Sequence, residues 1–351
     1  MLATKTIKGR IEKPTKFKFK CLNHEYDGFQ QWMIFGIDLG IYSSYKTAKD
    51  YRIKNIKYKE YPLELWSQLT KLKKQNTKTV NYWLLFRTKL KRGGIWLPIK
   101  LYQEIPDDCK LKNSYLVYNH QKAWYDIRLI FSKEITHNGH SNLLAIDLGE
   151  KRIATVVCGN RNKHSKPLFF GKEIRGIRRH YSWLRKRLGN KKLLKIIKKI
   201  GQHEKNKIEL LLHNISKKII NFSNQNKVGI IILGNLKNIR ETAKNKGKRL
   251  KRILSNFVYY KFTQILTYKA EWQGIKVIKV DESYSSKECS YCGEFGKRNY
   301  QGLFKCSNCG CQINADYNGV KNILKRGIDY MFISGAVASA HNPPTEAGSI
   351  I

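Results

Sequence analysis

The sequence predicts an α/β chain with a small cysteine ribbon inserted before its last helix, and three observations carry that expectation. Residues 143–170 hold three short apolar runs at hairpin spacing. Residues 228–233 and 275–280 are two more apolar runs, separated by a helical repeat. Cys289, Cys292, Cys306 and Cys309 then stand as two Cys-x-x-Cys pairs with thirteen residues between them.

Taken in order, residues 1–140 form a first region that is the least regular. It holds Trp32, Trp66, Trp83, Trp96 and Trp124, which give it a core or stacking surface of its own, core packing being preferred. Residues 94–99 and 125–131 read as strands, residues 63–91 as helical, and Ile105-Pro106-Asp107-Asp108 as a turn. In residues 141–288 the run Leu143-Leu144-Ala145-Ile146-Asp147-Leu148-Gly149 is a strand ending in an acid, followed by strands over 152–158 and 167–170. A basic helical stretch covers 174–222, with breaks expected near Gly189 and Gly201. The unbroken apolar run 228–233 marks a parallel strand buried on both faces. Leu254, Val258, Phe262, Leu266 and Ala270 repeat every four residues on a helix that Gly274 stops, and 275–280 returns as a strand. The ribbon takes 289–312, a final helix 313–326, and residues 327–351, with Pro343-Pro344, read as a disordered tail. The order βββ, helix, β, helix, β, helix is that of an RNase H-like, or RuvC-like, nuclease domain.

Each two-residue spacer lets a tight turn aim both thiolates at one ion, and four thiolates complete the tetrahedral shell of structural Zn²⁺. Disulfides are the alternative, and nothing upstream suggests export to an oxidising compartment. Cys311 reads as a spare thiol, and Cys21, Cys109 and Cys158 as small apolar filler. The first residues lack the apolar core of a signal peptide and no apolar run reaches membrane-span length, so a soluble intracellular protein is expected.

Lys and Arg number 68 against 26 Asp and Glu, a formal charge of +42. So much self-repulsion calls for a polyanion, and the spread of cations along the whole chain favours nucleic acid over membrane. Arg175, Arg178, Arg179, Arg185, Lys186 and Arg187 form one cluster. Arg240, Lys244, Lys246, Lys248, Arg249, Lys251 and Arg252 form another. Either could be a solvated face, but the one-sided charge points to phosphate.

A domain of this order hydrolyses phosphodiesters with two divalent ions clamped by carboxylates at one sheet edge. Asp147 ends the first strand and Asp316 starts the last helix; a turn aspartate and a helix cap are the competing assignments. Gly36-Ile37-Asp38-Leu39-Gly40 mimics the Asp147 strand, but no second apolar strand follows it, so Asp38 reads as structural.

Asp147 in its Ile-Asp-Leu-Gly strand belongs to a longer set of matching segments. The others are Glu282-Ser283-Tyr284-Ser285-Ser286-Lys287, Cys289-Ser290-Tyr291-Cys292-Gly293, Phe304-Lys305-Cys306-Ser307-Asn308-Cys309-Gly310, Asn314-Ala315-Asp316-Tyr317-Asn318-Gly319 and Asn322-Ile323. Together they resemble the TnpB family of transposon-encoded RNA-guided nucleases, relatives of Fanzor proteins and miniature type V CRISPR effectors, over at least residues 90–326. The resemblance implies a metal-dependent endodeoxyribonuclease that cuts double-stranded DNA beside a short transposon-adjacent motif. It implies a guide RNA, two catalytic Mg²⁺, a zinc ribbon, and a wedge-like β-barrel with a small helical recognition insertion in residues 1–140. The two basic clusters would then grip the guide–target duplex by its backbone. The spread of charge leaves no membrane partner expected, the oligomeric state stays open, and the expected location is the cytoplasmic nucleoid of a prokaryote or the nucleus of a eukaryote.

One departure matters. The family strand matching 228–233 usually ends in a glutamate, and here the positions are Gly234-Asn235-Leu236. Either the protein binds without cutting and represses by occupancy, or another acid serves. Glu282 holds the place that some relatives use, one strand further out, and Gly234 leaves space for it to lean inward; a solvated surface acid is the competing assignment. The implied carboxylate set is Asp147, Glu282 and Asp316.

Overall fold

The computed structural model describes residues 2–38, 61–75, 77, 80–120, 122–149, 151–160, 163–235, 258–300 and 302–340. The chain divides into two compact units, Leu2–Glu134 and the residues from Ile135 onward.

Among its described residues the first unit is an antiparallel sheet with one helix. Its elements are β1 (Leu2–Ile11), α1 (Lys16–Asp38), β2 (Leu63–Leu65), β3 (Lys71–Lys74), β4 (Tyr82–Thr88), β5 (Lys91–Leu101), β6 (Lys110–Asn119) and β7 (Trp124–Glu134). The strand order is β2-β6-β7-β1-β5-β4-β3. Ile7, Leu84, Leu97, Ile99, Leu116, Ile127 and Leu129 bury one face, and Cys21, Leu22 and Tyr26 of α1 pack into the same core. Strands over 94–99 and 125–131 therefore fall inside β5 and β7, and the 105–108 turn is present.

Several expectations for this unit are overturned. The described residues between 63 and 91 are strands and turns: Tyr82, Leu84, Leu85 and Phe86 are buried, and β4 pairs with β5 from Tyr82↔Ile99 to Thr88↔Lys91. Aromatic side chains fitted to a pleated surface outweigh the helical preference of the neighbouring Leu and Lys. The helix lies at α1 instead, where Ile37 and Asp38 are its last turn. The expected barrel is a half-barrel sheet among the described residues, where its edge strands β2 and β3, three and four residues long, do not pair with each other. Trp66 and Trp96 are exposed, while Trp83 and Trp124 lie under Lys18 and Arg10 as cation–π partners.

The second unit begins with β8 (Asn142–Asp147), β9 (Ala154–Gly159), β10 (Leu168–Phe170), α2 (Glu173–Asn190), α3 (Leu194–Gln225) and β11 (Val228–Asn235). It continues with α4 (Tyr259–Trp272), β12 (Lys276–Asp281), β13 (Gly296–Tyr300), β14 (Leu303–Cys306), β15 (Gln312–Asn314) and α5 (Ala315–Ala340). The main sheet runs β10-β9-β8-β11-β12, antiparallel among the first three and parallel from β8 through β11 to β12. Strand alternation sends β8 to both faces. Leu144 and Ile146 join Leu212, Ile219, Phe262 and Leu266 under α3 and α4; Leu143 and Ala145 join Val320, Ile323 and Leu324 under α5. Gly327 brings α5 close, since a Cβ there would lie 2.4 Å from Ile232 Cδ1 of β11.

The α2–α3 break falls at 191–193, beside Gly189, but α3 passes through Gly201 unbroken. An interior helical glycine costs only about 1 kcal/mol, and burial of Ile208, Leu212, Ile215 and Ile219 holds the helix. Gly274, at φ +74, stops α4 in the left-handed cap that favours glycine, with Ile275 N–H donating to Ala270 O at 3.0 Å. The tail expected from residue 327 is helical to Ala340, because Ile328 is buried and Met331 packs beside it. No described helix is long and apolar enough to cross a membrane.

Candidate active site

Parallel β8, β11 and β12 put their C-terminal ends on one sheet edge, where the ligands of such sheets collect. Asp147 is the last residue of β8, Asn235 of β11, and Asp281 of β12, with Glu282 the next residue. Glu282 leans across the neighbouring strand. A Cβ built on Gly234 would stand 2.1 Å from Glu282 Oε2 and 3.2 Å from Glu282 Cβ, so this carboxylate needs glycine at 234. Gly319 does the same for Asp147, whose Oδ2 lies 3.0 Å from where a Cβ on the helix would be.

Asp316 sits in the first turn of α5. It does not cap the helix: Asn314 Oδ1 accepts from the N–H groups of Asp316 at 3.0 Å and Tyr317 at 3.1 Å. The Asp316 carboxylate is thereby left for other duties. Its closest described cation is Arg152, whose Nη1 is 3.9 Å from Asp316 Oδ2.

Burial and neighbouring charge both act on these acids. Burial, then the charge of Asp316, pushes the Asp147 carboxyl up to about 7, against weaker relief from Arg298 and the Leu148 N–H. Burial, then Asp147 and Asp281, pushes Glu282 up to about 8. Glu282 Oε2 is buried and makes no hydrogen bond. Among the described residues only the four ribbon cysteines gather within 4.8 Å of one another; Asp147, Glu282 and Asp316 share one sheet edge without closing to that distance, and the orphaned Glu282 oxygen is the feature that suits a hard divalent cation.

The segment carrying Glu282 is fastened to the helix carrying Asp316. Asn318 Nδ2 donates to Glu288 O at 2.6 Å while its Oδ1 accepts from Ser290 N–H at 2.9 Å. Asn322 Nδ2 donates to Ser285 O and Glu288 O, each at 2.8 Å. Arg326 donates to Asp281 O at 3.0 Å and Ser283 O at 2.7 Å, and pairs with Glu288 at 2.7 Å. Positions 318, 322 and 326 lie one above another on a helix face.

The ribbon stands directly on this fastening. Sγ atoms of Cys289, Cys292, Cys306 and Cys309 all lie within 4.8 Å of one another, with Cys289···Cys309 at 3.7 Å and Cys292···Cys306 at 3.5 Å. Zn–S bonds of about 2.3 Å give tetrahedral edges of about 3.8 Å, so the cluster fits that ion. The Glu294 N–H, helped by neighbouring sulfurs, holds the Cys292 thiol down at about 6. Cys311 stays outside the cluster, packed against Cys289 and Phe304.

Of the basic residues expected to meet phosphate, Arg175, Arg178, Arg179, Arg185 and Arg187 lie on α2. Arg185 pairs with Glu204 of α3 and is committed to the hairpin, and Arg187 stacks on Trp183 at 4.8 Å. Arg240, Lys248 and Arg249 lie outside the described residues. Arg152, Gly319 and Arg326 were not foreseen; the four-residue spacing of Asn318, Asn322 and Arg326 was the available signal.

The chain is similar to several known proteins. The family described as Cas12f1-like, TNB domain, matches residues 259–323. The TnpB-like protein MJ0751 of Methanocaldococcus jannaschii is 32% identical over 208 residues, covering 57% of this chain and 74% of that protein. The CRISPR-associated endodeoxyribonuclease Cas12f1 of Sulfoacidibacillus thermotolerans is 38% identical over 143 residues, 40% of this chain but only 32% of that relative's length. A solved Cas12f1–sgRNA–target DNA complex aligns over 92% of this chain and 99% of that one, at 18% identity and a TM-score of 0.43.

Proposed function

We propose, because this chain belongs to the TnpB family, that it is an RNA-guided DNA endonuclease cutting double-stranded DNA beside a short transposon-adjacent motif. The observation that carries the reading is Glu282 lying over Gly234 with a buried oxygen that has no partner, next to Asp147. The strand order β10-β9-β8-β11-β12, antiparallel then parallel, supports an RNase H-like domain with its site at the ends of β8, β11 and β12.

Asp147, Glu282 and Asp316 would hold two Mg²⁺ ions, which when bound supply an activated water and stabilise the leaving oxygen. The chain's own residues do the arranging. Gly234 and Gly319 make room for the Glu282 and Asp147 carboxylates, and the asparagine row of α5 fastens the segment that carries Glu282 to the helix that carries Asp316. The four cysteines would hold a structural Zn²⁺ that keeps the ribbon folded over this floor. The exposed cations of α2 would grip a guide–target duplex by its phosphates, leaving sequence choice to base pairing.

Plasmid cleavage with Mg²⁺ and the copurifying RNA, which sequencing identifies, tests the reading. Removing any one of Asp147, Glu282 or Asp316 is expected to lower cleavage by roughly a hundredfold or more while guide and target binding persist. Glu282→Ala cutting as fast as wild type would sink the relocated glutamate. Wild type that binds target without cutting would leave the repressor reading, which Gly234 alone favours.

A further inference from the structure

A cleft of about 690 Å³ opens beside β10 and the start of α2. Its wall is one face of α3, where Asn214, Lys217, Lys218 and Asn221 follow the spacing of neighbouring turns, and Lys172 faces them from the loop before α2. Glu173 is the single acid in the lining. Lys217 and Lys218 are exposed, so neither charge is used by the fold.

Arg152 lines the same cleft and also reaches toward the carboxylates. Its guanidinium carbon lies 3.8 Å over the Phe169 ring, which fixes the plane of the group. Its Nη1 is buried, makes no hydrogen bond, and stops 3.9 Å short of Asp316 Oδ2. A pre-oriented cation that faces Asp316 only at ion-pair distance, with no hydrogen-bond acceptor at Nη1, between a basic cleft and an acidic site, suits an anionic oxygen that arrives with the substrate.

We infer that this cleft binds the backbone of the DNA strand being cut, with Arg152 donating to a phosphate next to the carboxylate site. The inference rests on the nuclease reading for the identity of the strand. Stacking and a directed donor ask for a guanidinium, whereas Lys217 and Lys218 act as point charges further along the strand.

The experiment uses the protein–RNA complex and a short fluorescein-labelled oligothymidylate, with Ca²⁺ replacing Mg²⁺ in the binding arm. For the K217A/K218A double variant, the slope of log affinity against log salt is expected to fall by about 1.4, two single-strand contacts. Arg152→Ala is expected to lower Mg²⁺-dependent cleavage at saturating target by about tenfold or more, with guide-directed target binding within about twofold, and Arg152→Lys to stay low. Wild-type salt slope in the double variant together with wild-type cleavage in Arg152→Ala overturns the site. Equal competition by thymidine monophosphate and the oligonucleotide overturns a strand site in favour of a nucleotide pocket. Wild type that never cuts, with the slope still lost in the double variant, keeps the strand site and overturns the nuclease reading instead.

Discussion

Glu282 fills the volume that any side chain on Gly234 would need, its Oε2 standing 2.1 Å from the position of a Cβ there. The two positions, one at the end of β11 and one just past β12, therefore hold one carboxylate between them.

Gly234→Ala is expected to push the Glu282 carboxylate aside and lower cleavage by about tenfold or more. The melting temperature should stay within about 3 °C, because the displaced group is the end of a flexible side chain. Gly234→Glu should also impair the wild type, yet restore part of the cutting in a Glu282→Ala background. A Gly234→Ala protein with wild-type rate would separate the two positions.

Asp147 and Glu282 rise from ordinary values near 4 to about 7 and about 8. A carboxyl raised in the folded state stabilises the fold while protonated, so that contribution is present below about pH 4 and lost as pH climbs through about 8. Mg²⁺ should reverse the loss where the acids are ionised. Thermal melts should show a larger Mg²⁺-induced rise at about pH 8 than at about pH 5, and Glu282→Gln should shrink that difference; equal rises at both pH values would count against the cluster as the Mg²⁺ site.

Cys306→Ser should leave three thiolates and lower bound zinc from one equivalent toward zero, measured by atomic absorption. Cleavage should fall with it, since the ribbon stands on the segment that carries Glu282. One full equivalent retained in the variant would rule out the assigned shell.

Arg185→Ala and the Arg178→Ala/Arg179→Ala pair should differ in kind. Losing the partly shielded Arg185–Glu204 pair should cost about 1 kcal/mol of stability with little change in the salt dependence of RNA binding. The double variant should instead reduce the salt slope by about one per lost phosphate contact. Urea melts and salt titrations read the two effects separately.

Asn314→Ala should cost about 1 kcal/mol through the lost cap, whereas Asp316→Ala should leave stability almost unchanged and abolish cutting. Loss of stability in Asp316→Ala comparable to that in Asn314→Ala would return the capping duty to Asp316.

The second unit was largely legible because its signals are local and long: the unbroken apolar run of β11, the four-residue repeat before Gly274, and cysteines whose spacing encodes their geometry. The lean of Glu282 over Gly234 was legible too, because the family resemblance singles out Glu282 and strand spacing with an absent side chain at 234 allows it to lean. The first unit was harder. Its strands β2 and β3 are too short to show a period, and α1 betrays itself only by Phe19, Leu22 and Tyr26. Residues 327–340 carry so few charges that their helix was mistaken for a tail, although Ile328 is buried. Arg152 was invisible because its role comes from Phe169 and Asp316, which only folding brings beside it.

The asparagine row of α5 has a consequence for how such chains can change length. One root of the ribbon is held at residues 288–290 by Asn318 and Asn322; the other is held where Ala315 N–H donates to Gly302 O and β14 pairs with β15. Both roots lie outside the stretch between Lys297 and Tyr300, where the β13–β14 register already shifts, whereas each Cys-x-x-Cys turn must keep its two-residue spacer to aim both thiolates at one ion. Added residues in that stretch would enlarge the hairpin without moving either anchor, and loop closure costs little for extra length. Residues 281–290 tolerate no such growth, because one inserted residue would take Glu282 or the Asn322 acceptors out of step with the helix. Variation in ribbon size among relatives should therefore concentrate at the β13–β14 register shift, with the stem keeping constant length.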